Sequence, residues 1–209
     1  MSQAALNTPP RKSFRESQFI VREEAILDAT NRLLANKGYE MMSMDDIAAE
    51  VGIAKGSLYK HFESKEALGA AVMIRLLQRT RAALDGLPAD LDARGRLEGL
   101  LRWTLTERLA GGVPHLPSTS STLRDTLLGS KDYMHELMSL SEAMGDLIRQ
   151  AKADGAIRSD LDDEFVLYSL YARSCDPTLD FLKGGALGDE RLVGQLVATC
   201  FAGLAPPRV

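Results

Sequence analysis

Apolar residues return every three or four positions along most of this 209-residue chain, and no stretch shows the strict alternation of a half-buried strand. That period leaves helices as the regular structure, so the predicted fold class is all-α. Ile26, Ala29, Thr30, Leu33 and Leu34 mark one stripe, running from about Glu16 to Lys37, where Gly38 supplies a stop. Ser43 stands three residues before Asp46, a variant of the capping box, and opens a two-turn helix with Ile47, Ala48 and Val51 that Gly52 closes. A third short segment over 54–60 leads through His61, Phe62 and Glu63 to Ser64, the N-cap of a longer helix reaching about Leu84. Beyond the break at Gly86 and Pro88, the period predicts helices over 90–109, 122–128, 133–154, about 160–174 and 189–204. A proline- and hydroxyl-rich loop is expected at 114–121.

Composition narrows the class further. Hydrophobic residues make up 45% and charged residues 26%, ordinary globular usage that excludes a wholly disordered or fibrous chain. Cys175 and Cys200 are too few for a disulfide framework and too far apart for a CxxC pair, which fits a reducing, cytoplasmic setting. Met1 to Phe14 lacks the apolar segment of a signal peptide, and no run approaches the roughly 18 apolar residues a membrane span needs. A soluble protein without membrane attachment is expected.

The net charge of −4 argues against indiscriminate coating of nucleic acid, but the charge is unevenly spread. Residues 1–22 carry Arg11, Lys12, Arg15 and Arg22 against Glu16 alone, a cationic arm that reads either as a solvated tail or as a minor-groove reader. Residues 54–65 carry Lys55, Lys60 and Lys65 against Glu63, with His61 able to add charge.

Enzyme motifs fail on their chemistry. His135-Glu136 would need a second histidine where Ser139 stands to make a zinc-binding HExxH. Lys55-Gly56-Ser57 inverts the order of a phosphate-binding loop, and Gly111-Gly112 and Gly184-Gly185 follow no strand. The three histidines, His61, His115 and His135, lack metal-ligand spacing. No enzyme activity, metal or other cofactor is expected.

Two short helices joined at Gly52, the second ending in Tyr59-Lys60-His61, fit a helix-turn-helix whose second helix enters the major groove. Ala48 is small enough for a close crossing, Gly52 permits the turn's positive φ, and Ile53, Leu58 and Phe62 can pin the pair onto the first helix. That leaves Lys55, Gly56, Ser57, Tyr59, Lys60 and His61 available to DNA. Tyr59 has a second reading, as a core aromatic beside Leu58 and Phe62.

From Ser43 to Leu68 the chain closely resembles the signature of the tetracycline-repressor (TetR) family of bacterial transcription regulators, with Tyr59-Lys60-His61-Phe62 and Ser64-Lys65-Glu66 in order. The resemblance implies a homodimer that binds double-stranded operator DNA, a three-helix head at 18–66 behind a flexible arm at 1–17, and a ligand-binding and dimerisation body at 67–209. It further implies that Ser43, Tyr59, His61 and Lys65 meet phosphates, with Lys55, Ser57 and Lys60 nearer base edges. The family frequently has Ser or Thr where this chain has Ala54, so an N-cap hydroxyl is missing.

By the same resemblance a small-molecule effector would release the repressor from its operator, and Trp103, Tyr133, Met134, Met138, Tyr168, Tyr171 and Cys175 lie on segments that would enclose it. At helical spacing each of these also reads as ordinary core, and Cys175 as a buried, inert thiol. Residues 163–174, apolar nearly all round, and 189–204 would carry the dimer contact. The competing reading is a helical ligand-binding or interaction module without DNA binding.

Overall fold

The computed structural model describes residues 13–113 and 122–204. The charged residues at 1–12 and the expected loop at 114–121 lie outside that range. Ten helices and no strand occur among the described residues.

Helix α1 (Phe14–Lys37) begins earlier than its apolar stripe suggests, because Ser13 and Glu16 form a full capping box. Residues 14–17, expected in the arm, are therefore its first turn. Helix α2 (Met44–Val51) has its own capping box: the Asp46 amide donates to the Ser43 hydroxyl at 3.1 Å, and the Ser43 amide donates to the Asp46 carboxylate at 3.0 Å. Gly52, at φ +73°, stops α2 in a conformation that an L side chain rarely adopts. One turn of helix, α3 (Lys55–Leu58), follows without a side-chain cap, as Ala54 dictates. Ser64 then caps α4 (Lys65–Asp85).

The rest comprises α5 (Ala93–Leu109), α6 (Thr122–Gly129), α7 (Lys131–Ala153), α8 (Asp163–Ser174), α9 (Thr178–Leu182) and α10 (Asp189–Leu204). The five-residue α9 is too short to show a period, and the sequence reading missed it.

Two cores form. The first gathers Ile26 and Leu34 of α1, Ile47 of α2, Leu58 of α3, and Leu68, Val72 and Met73 of α4. Leu123 and Leu127 of α6 complete it, although they lie about fifty residues along the chain. Gly69 makes room for them, since a Cβ there would sit 2.9 Å from Leu123 Cδ1. The second core holds Leu77 and Leu84 of α4 with Leu97, Leu105, Leu140, Ile148, Val166, Val197 and Phe201. Helix α4 thus begins in one core and ends in the other.

Polar contacts tie the two parts together. Arg75 of α4 pairs with Glu24 and Asp28 of α1 at 3.0 and 2.8 Å. The largely buried Asn31 donates to the Gly111 carbonyl at 3.1 Å, joining α1 to the turn that ends α5.

Candidate nucleic-acid interface and body cavity

Leu58 and Phe62 are buried in the head core and Ile53 is half-buried against it, so the opposite side of α3 faces outward. Lys55, Gly56, Tyr59 and Lys60 are exposed there, and Ser57 is partly so. Tyr59 is 47% exposed, which excludes its core reading. Nothing lies within 4 Å of a Cβ built on Gly56, leaving open space at that end of the helix. Lys55 is held by Asp45 at 2.8 Å, a hydrogen-bonded pair that pushes the lysine pKa up. An approaching phosphate or base would have to replace that carboxylate.

The remaining three predicted DNA contacts are tied into the fold. The Ser43 hydroxyl donates to the Asp46 carboxylate at 2.7 Å while accepting from the Asp46 amide, so its proton is already committed. The Lys65 ammonium donates to the carbonyls of Tyr39 and Met42 at 2.9 and 3.0 Å and lies 4.2 Å from the centre of the Tyr39 ring. It clamps the start of α4 onto the α1–α2 turn, and one of its three N–H bonds is left over. The His61 ring stacks on Phe19 with centroids 4.1 Å apart, and its buried Nδ1 has no partner among the described residues. Burial pushes the His61 pKa down, favouring the neutral ring.

A cavity of about 260 Å³ opens between α4, α5, α7 and α8. Of the seven residues expected around a ligand, Tyr133, Tyr168, Tyr171 and Cys175 line it, whereas Trp103, Met134 and Met138 do not. The reason is helical phase. Tyr133, Leu137, Leu140, Ser141 and Met144 form the cavity face of α7, and Met134 and Met138 each sit one residue, about 100°, round from it. Met138 is 56% exposed. On α5, Leu100, Leu101 and Thr104 face the cavity while Trp103 turns toward Arg79, whose guanidinium lies 5.9 Å from the ring centre.

Cys175 is exposed at the cavity rim rather than buried, and desolvation by its neighbours pushes its thiol pKa up, which disfavours the reactive thiolate. Sequence reasoning overlooked Thr80, Ser141 and Ser174 in the lining. Their signal was a hydroxyl residue interrupting an otherwise apolar stripe.

Residues 26–72, from the middle of α1 into α4, match the family described as "Bacterial regulatory proteins, tetR family". The matched segment, the head of the chain, is similar to the DNA-binding part of that family. Along 89% of its length it is 26% identical to the HTH-type transcriptional repressor KstR2 of Rhodococcus jostii, covering 92% of that protein. The fold is shared with the ketosteroid transcriptional regulator KstR2 of Mycobacterium tuberculosis, with a TM-score of 0.68, 22% identity, and coverage of 89% of this chain and 96% of that one. It is shared equally with the fatty acid degradation regulator FadR of Bacillus halodurans, with a TM-score of 0.66, 18% identity, and coverage of 93% and 98%. The matched head and the repressor relative support a DNA-binding transcription regulator, and the fold is a helix-turn-helix head on a helical body. None of the described helices is long and apolar enough to cross a membrane.

Proposed function

We propose that the chain is a homodimeric repressor that leaves its operator when a small molecule enters the body cavity. The observation that carries this reading is the course of α4: Met73 belongs to the head core and also lines the cavity, and Leu76, Leu77 and Thr80 continue the cavity wall. A molecule that moves this wall moves a helix on which the head is built. Relatives named for ketosteroids and fatty acid degradation favour an effector with an apolar carbon skeleton. In this reading the head extends beyond 18–66, to Met73 and across α6.

Lys55, Gly56, Ser57, Tyr59 and Lys60 meet DNA directly, and His61, held against Phe19, presents the outer edge of its ring to a phosphate. Ser43 acts by capping α2. Selection from genomic fragments followed by footprinting tests the reading. Two protected half-sites about one helical turn, roughly 34 Å, apart are expected. Failure to enrich any sequence would favour the non-DNA-binding alternative.

Lys65 is expected to do two things at once. Lys65→Ala should lower the melting temperature by releasing the α1–α2 turn, and should reduce the slope of log affinity against log salt by about 1 for each phosphate the ammonium neutralises. A melting change with an unaltered salt slope would reduce Lys65 to its clamp.

Dimerisation is assigned to the outward faces of α8 and α10. Phe165 and Tyr168 are 59% and 60% exposed, and Ala198 and Ala202 form an exposed, small-residue strip on α10 that would allow close helix approach. Val197, on the same helix, is only 2% exposed and belongs to the core of one subunit, so a charge there would unfold it rather than report on the dimer. Ala198→Glu is the better probe: monomers by light scattering are expected, and a persistent dimer would move the interface elsewhere.

A further inference from the structure

Among the described residues, no charged side chain lines the cavity. A carboxylate or ammonium drawn into it would lose its water without gaining a counter-ion, so the part of a ligand that enters is penalised for carrying charge.

The hydroxyl groups narrow the choice further. Thr80 donates to the Leu76 carbonyl at 2.8 Å, Thr104 to Leu100 at 3.0 Å and Ser174 to Leu170 at 3.1 Å. Each has spent its only proton on its own helix and can offer a ligand no more than a lone pair. Ser141 and Tyr171 stand 3.0 Å apart and share one hydrogen bond, which leaves one of their two protons uncommitted. The Tyr133 hydroxyl makes no hydrogen bond among the described residues. Burial pushes the pKa of both tyrosines up, and the phenols are close enough for Tyr133 to add to the shift at Tyr171. Both remain protonated donors at neutral pH. The unspent donors of the lining therefore gather on the α7–α8 side, facing a wall of leucine and methionine interrupted by Val113 and by the committed hydroxyls of Thr80 and Thr104.

We propose that the cavity selects an uncharged molecule bearing a hydrogen-bond acceptor of the carbonyl class (ketone, ester or thioester) on an apolar skeleton, and that the unpartnered Tyr133 hydroxyl reads that acceptor. The inference rests on the cavity being the effector site and specifies what the effector must carry. At about 30 Å³ per water, the cavity equals roughly nine waters, room for about ten to fifteen non-hydrogen atoms. Tyr133 also packs against both cores, so the group that reads the ligand lies where body meets head.

Three compounds of one skeleton test this by calorimetric titration of the full chain: benzylacetone, butylbenzene and phenylbutyrate. Benzylacetone should bind more tightly than butylbenzene, and phenylbutyrate at least about tenfold more weakly than benzylacetone. Tyr133→Phe keeps the ring and its packing while removing the donor, and should shrink the preference for ketone over hydrocarbon by about two- to tenfold. A purely structural role for Tyr133 would change both affinities together and leave their ratio alone. The wild-type comparison of ketone with carboxylate stands even if the variant folds poorly. Benzylacetone that binds as expected without weakening operator binding would support the selectivity and remove the effector role. Phenylbutyrate binding as tightly as benzylacetone, an unchanged ratio in Tyr133→Phe, or no binding of either neutral compound overturns the inference.

Discussion

Tyr59→Ala is expected to cut operator affinity by roughly a hundred- to ten-thousand-fold while leaving the protein folded. Each hydroxyl-to-phosphate bond contributes about 1.5 to 3 kcal/mol, and a dimer forgoes two of them, about 3 to 6 kcal/mol in all. The side chain is 47% exposed and belongs to neither core, so helicity and melting temperature should stay close to those of the wild type. Fluorescence titration of a labelled operator alongside circular dichroism separates the two effects. Operator affinity within a few-fold of wild type would remove Tyr59 from the DNA-binding surface, and loss of helicity would return it to a structural role.

Leu123→Ala should cost about 2 to 5 kcal/mol in urea unfolding, the range for truncating a buried leucine whose surroundings cannot close the gap. Leu123 is 1% exposed and is set against Gly69 and the head core, so the damage should appear in the head. Hydrogen exchange is expected to accelerate in α1, α2 and the first turns of α4 before it does so in α5, α8 or α10. A cost below about 1 kcal/mol, or faster exchange confined to the body, would contradict the assignment of α6 to the head.

What the sequence disclosed follows the range of the interactions involved. The α2 boundaries were readable because Ser43, Asp46 and Gly52 act within a few residues, and Ser64 fixed the start of α4 in the same way. The Ser13–Glu16 box is equally local, but it lies ahead of the apolar stripe, and a reading led by periodicity begins too late. Long-range contacts left no comparable mark. Nothing near Leu123 says that it will cross to the head, and nothing near Lys65 says that its ammonium will be used by two backbone carbonyls.

The cavity was half legible for a different reason. Aromatic and sulfur-bearing residues were chosen by type, whereas the structure sorts them by phase, keeping Tyr133 and turning Met134 and Met138 aside. On α8 the same choice succeeded because Tyr168 and Tyr171, three residues apart, both reach the cavity.

The central claim, that the cavity and the DNA-binding head share one equilibrium through α4, is tested most directly by titrating one cavity ligand in the absence and presence of saturating operator. Linkage requires operator to weaken ligand binding by the same factor by which ligand weakens operator binding, typically about 5- to 150-fold. Benzylacetone, followed calorimetrically, is expected to lose affinity within that range when operator is bound, with the reverse titration giving a matching factor. Equal ligand affinity with and without operator would contradict the coupling and leave a DNA-binding protein whose cavity does not regulate it.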